Sequence, residues 1–140
     1  MGLDSEAELT LAKPPSKLGF MLQLICWVIL AAVHALPALA LFHPSSLTTL
    51  YGIQPDNPLF LLMQHRAALF LAVFAACLWA AFVPEGRRLA VVVVSISMIG
   101  FLVLYWQAGA PAPLKRIAWV DMAGLPVLAL AAFYAFRTAA

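Results

Sequence analysis

A few side chains able to do chemistry lie inside stretches otherwise fit for lipid: His34, the adjacent pair His65 and Arg66, and Asp121. An ionisable group at membrane depth costs about 2.5–3.5 kcal/mol on insertion scales, so each demands a reason. Two histidines at equal depth on adjacent antiparallel helices are the minimum set for a b-type haem, with Arg66 near a propionate. With Asp121 they also have the composition of a non-haem metal site, although no ligand pair shares a helix at i, i+3 or i, i+4. A quinone, lipid or other amphiphile that enters between helices and hydrogen-bonds to His65, Arg66 or Asp121 is a further option. A purely structural option also stands: Asp121 pairs with Arg66, the histidines bond to freed backbone carbonyls, and the layer only holds the helices in register.

The elements that position these groups follow from composition. Of 140 residues, 65% are hydrophobic and 10% charged, against roughly a quarter charged in a soluble domain. A chain this small and apolar cannot cover itself with polar groups in water, so its solvent is lipid. Stretches near 20 residues long and free of Asp, Glu, Lys and Arg, save for Arg66 in the second and Asp121 in the fourth, predict membrane-spanning helices over about 18–41, 58–83, 89–108 and 117–136. His43-Pro44-Ser45-Ser46 ends the first, and the rest through Pro55 reads as a loop. Residues 1–17 form a polar tail. No period-two alternation supports a barrel. The expected fold is therefore all-α, an integral membrane four-helix bundle with antiparallel neighbours.

Depth and face both gather the polar residues. At about 1.5 Å per residue, His34 and His65 each lie roughly 10 Å inside ends that share one membrane face, with Asp121 a turn inside the fourth span from that face. Ala31 and Ala38 flank His34, Ala68, Ala72 and Ala76 continue the face of His65, and Gly124 follows Asp121. Small residues mark close helix approach, so these three side chains are expected to point inward, with Arg66 snorkelling toward the interface. Pro37 and Pro126 free the carbonyls of Val33 and Met122 in the same layer. Gln64, Tyr51, Tyr105, Gln107 and His43 complete an expected polar chamber. Cys26 and Cys77 read as reduced, packed thiols, and Trp27 and Trp79 as packing residues.

With four spans the termini share a side, which carries Lys13, Lys17, Arg87, Arg88 and Arg137 against Lys115 and Arg116 opposite. The positive-inside rule then puts both termini in the cytoplasm. Lys13 and Lys17 before an apolar core ending in Ala38-Leu39-Ala40 imitate a signal peptide, but the core is longer than a usual one and is read as a span. There is no phosphate loop, zinc spacing or nucleophile elbow, and the eight Lys and Arg are too dispersed for nucleic acid.

The set His34-Ala35-Leu36-Pro37, Leu50-Tyr51-Gly52-Ile53, Gln64-His65-Arg66-Ala67-Ala68-Leu69-Phe70 and Ala118-Trp119-Val120-Asp121 resembles an uncharacterised family of small bacterial four-span inner-membrane proteins. The resemblance covers nearly all of the chain after the tail, and it implies a bacterial inner-membrane setting. Members of that family are sometimes labelled phosphopantetheine adenylyltransferases. This chain has no His-x-Gly-His element and no soluble domain to hold a nucleotide, so that label does not carry over.

The reading is thus a non-enzymatic accessory or small-amphiphile-binding subunit. Its ligand set is His34, His65, Arg66, Asp121, Gln64, Tyr51 and Tyr105, and its surroundings are the bilayer together with a larger membrane complex or further copies of itself. A redox subunit carrying b-type haem on His34 and His65, or a quinone, is the alternative.

Overall fold

A computed structural model describes residues 17–137, so the polar tail apart from Lys17 lies outside the described residues. Helix α1 (Lys17–Leu39) is followed by a short α2 (Ser45–Tyr51), then α3 (Leu59–Phe82), α4 (Arg87–Gln107) and α5 (Lys115–Arg137). Single 3₁₀ turns, Pro84–Gly86 and Ala112–Leu114, lead into α4 and α5. No strand occurs among the described residues. The four long helices are long and apolar enough to cross a membrane, which fits a multi-pass membrane protein.

The connections explain the antiparallel order. Asn57 caps α3 by accepting the Leu59 N–H on Oδ1 at 2.9 Å, and Pro58 sits where its missing N–H costs nothing. Gly109, at φ +78°, ends α4: the Ala110 N–H reaches the Tyr105 carbonyl and the Gly109 N–H that of Trp106, the paired bonds of a Schellman cap. Around the bundle, α1 packs on α3 and α5, and α4 packs on α5 and α3. The α1–α3 contact is the most extensive and α3–α4 the least among these neighbours.

Lipid tails are as apolar as leucine, so helix association here relies on close packing rather than on exclusion from water. Alanines permit that closeness. Ala31, Ala80, Ala81, Ala90, Ala131 and Ala135 are buried around the fully enclosed Trp27, Leu30, Val94 and Met98. The free Cys26 and Cys77 are buried in this same core. It fills the half of the bundle nearest the termini, where the Arg87 and Arg88 side chains also tie backbone carbonyls of Ala80 and Ala135. Trp79, expected to pack inward, instead faces outward beside Gly86, where an added Cβ would come within 2.7 Å of the indole.

Residues 45–51, expected as loop, are helical. The cause is local: Pro44 stands at the N-cap, Gly52 adopts φ +68° with its N–H on the Thr48 carbonyl, and Leu47 is buried against Ala40 and Ala67. Helix α2 thereby folds over the end of the bundle opposite the termini and carries Tyr51 to the polar layer. That end is called the α2 end below.

Candidate functional site: a cavity at the α2 end

Three of the expected site residues converge. His34 from α1, Tyr51 from α2 and Asp121 from α5 line one cavity of about 310 Å³, with Pro37, Phe70 and Arg116 among its walls. A volume of that size sits at the small end of ligand pockets, and its remaining walls are largely apolar, as such pockets are.

His34 is only 2% exposed, and its Nδ1 lies 2.8 Å from the Leu30 carbonyl oxygen. A carbonyl only accepts, so Nδ1 carries the proton and Nε2 of the neutral ring is left as an acceptor. The expected partner was the Val33 carbonyl freed by Pro37; the ring instead reaches back one turn to Leu30. Phe70 packs beside the imidazole, ring centroids 6.0 Å apart.

Asp121 is nine-tenths buried, and its carboxylate accepts no hydrogen bond from any described residue. Among the described residues, only Arg87 Nη2 is a buried side-chain atom both sealed from open space and without a partner. The Asp121 oxygens and His34 Nε2 are therefore not sealed off, and both residues line the cavity. Buried polar atoms are ordinarily satisfied, and a carboxylate open to a cavity can be satisfied there by water or by a ligand.

Tyr51 feels two opposite charges. Burial pushes its phenol above the usual tyrosine range, the positive field of Arg66 opposes that rise, and the negative field of Asp121 adds to it. Arg66 and Asp121 form no ion pair, which removes the pairing on which the structural option rested.

The other expected residues lie elsewhere. Arg66 does not snorkel away from the helices: its guanidinium lies over the rings of Phe70 at 5.3 Å and Phe101 at 5.7 Å. With the buried Tyr105 it lines a second, larger cleft of about 760 Å³ between α3 and α4. His65 is exposed on the outer face of α3 and lines neither cavity. The reason is rotational: α3 turns Ala67, Cys77, Ala80 and Ala81 inward, which puts His65 and Ala72 outside. His34 and His65 therefore do not face one another across a haem, and no group of three His, Cys, Asp or Glu gathers for a metal among the described residues. Gln64 is half-buried and lines neither cavity, while His43 and Gln107 are exposed.

Two site residues escaped the sequence reading. Arg116 was counted only as a flanking charge, although its place five residues before Asp121 puts it at the entrance of the same helix. Phe70 stands four residues after Arg66, the spacing that stacks two side chains on one helix face, and that signal was present. No family model, curated protein or solved structure matches this chain.

Proposed function

We propose that this is a non-enzymatic membrane subunit that binds a small amphiphile in the cavity of His34, Tyr51 and Asp121. The observation that carries the reading is the Asp121 carboxylate, nine-tenths buried, without a hydrogen-bond donor and open to a cavity. Asp121 and His34 Nε2 both accept, so the polar end of the ligand presents N–H or O–H donors. Its apolar part passes between Leu36 and Val120, cavity residues that are themselves exposed on α1 and α5. The setting is the bacterial inner membrane with both termini cytoplasmic, supported by the family resemblance and by the five-to-two bias of Lys and Arg. In that orientation the cavity lies in the outer half of the bilayer, and the subunit works within a larger membrane complex or as an oligomer.

Native mass spectrometry of the full chain, released gently from its own membrane, tests the binding. The wild type is expected to carry a small-molecule adduct that Asp121→Asn loses, because the amide removes the charge and replaces one of the two acceptor oxygens with a donor. Thermal melting of the variant is expected to match that of the wild type stripped of its adduct. A bare wild-type chain, or an adduct that survives Asp121→Asn, overturns the reading.

A further inference from the structure

The second cleft, between α3 and α4, has a different chemistry. Its walls are apolar, with Val73, Val93, Ile96, Gly100 and Leu104 along its length, and Ser97 midway. Its charged residue is Arg66, which stands with Tyr105 at the α2 end. Arg66 has no hydrogen bond or ion pair with any described residue; its guanidinium rests on the faces of Phe70 and Phe101. A guanidinium held on two rings keeps its N–H edge free for a planar, two-pronged contact with a phosphate.

We propose that this cleft seats one acyl chain of an anionic phospholipid, with its phosphate on Arg66. Three features of the cleft specify that occupant. The thirteen residues from Val93 to Tyr105, twelve helical rises, span about 18 Å, close to the roughly 15 Å of hydrocarbon in one leaflet. Arg66 and Tyr105 stand in the half of the cleft nearer the α2 end, and from the Arg66 guanidinium beside Phe101 the walls toward mid-bundle are apolar but for Ser97, which is the polarity of a lipid. The protein also leaves the space unfilled: a Cβ built on Gly100 meets nothing within 4 Å, whereas one on Gly124 would strike Met98 at 2.5 Å. Gly100 is thus open toward the cleft and not a device for close helix packing. The weak α3–α4 contact is the consequence of that space. Phe70 and no other residue lines both this cleft and the Asp121 cavity, so the inference stands apart from the function proposed above.

The test uses the full chain in nanodiscs of phosphatidylcholine doped with phosphatidylglycerol, ejected for native mass spectrometry. One phosphatidylglycerol is expected to stay bound in preference to phosphatidylcholine. Arg66→Gln should lower that preference by about tenfold or more, the worth of a charge-assisted hydrogen bond. Gly100→Leu keeps Arg66 but fills the cleft with its own side chain, and should abolish retention of either lipid; leucine also favours helix over glycine, so the fold is not put at risk. The proposal is overturned if phosphatidylglycerol survives Arg66→Gln undiminished, if Gly100→Leu retains lipid, or if the wild type emerges as a lipid-free dimer whose cleft is covered by a second copy.

Discussion

The phenol of Tyr51 is a gauge of the charges around it. Burial raises its ionisation above the ordinary range near pH 10, Arg66 pulls it back and Asp121 pushes it further. The neutral phenol is the form that the fold favours. Its contribution to stability is therefore complete below the unfolded value and is lost as pH rises through the higher folded value. Arg66→Gln removes the opposing field and should raise the midpoint; Asp121→Asn should lower it. Tyrosinate absorbance against pH, with Tyr51→Phe subtracted to isolate this phenol from Tyr105 and Tyr134, reads both shifts. If neither variant moves the midpoint, Tyr51 does not feel the two charges. Much of this site was legible beforehand. His34, Tyr51 and Asp121 were named from depth and residue type, because a polar group in an apolar span is conspicuous whatever its neighbours. The facing of His65 and Arg66 was not legible, because alanines lie all around α3: Ala68, Ala72 and Ala76 point to one inward face, and Ala67, Ala80 and Ala81, the ones actually buried, to another.

At the scale of elements, the long spans were readable to within two residues or so at most ends, since charges and prolines bracket them. Helix α2 was not. Ser-Ser-Leu-Thr-Thr-Leu-Tyr is too short for a helical period to show, and its stop signal, Gly52 in the left-handed region, is equally a loop signal until Leu47 is seen to be buried. The joint of α4 and α5 shows how closely two elements can be fitted. Gly124 lets α5 approach α4 and Val33 of α1 closely: a Cβ added there would come within 2.5 Å of the terminal methyl of the fully buried Met98, which would have to turn aside. Gly124→Val should destabilise the fold by about 1–3 kcal/mol, as over-packing of a filled interior does. Thermal unfolding in a fixed detergent measures the loss. A variant as stable as the wild type would mean that Met98 can turn aside at no cost.

For the molecule as a whole, the charge bias becomes a statement about direction. Alkaline phosphatase, active only outside the cytoplasm, should be silent when fused after Arg137 and active when fused after Gly109, in the connection before Lys115 and Arg116. The reverse pattern would turn the bundle over and move both cavities to the inner leaflet. In either direction the two ends of the bundle differ in kind. The terminal end is packed solid around Trp27, Leu30, Val94 and Met98, while the α2 end is hollowed by a pocket on one side and a cleft on the other. Cooperative stability is unevenly held in such a body, because the free energy of a local opening follows the packing beneath it. The α2 end can breathe while its base stays folded. Entry and exit of a ligand are therefore separable from unfolding, and a bound molecule would stiffen one half of the bundle and leave the other as it was.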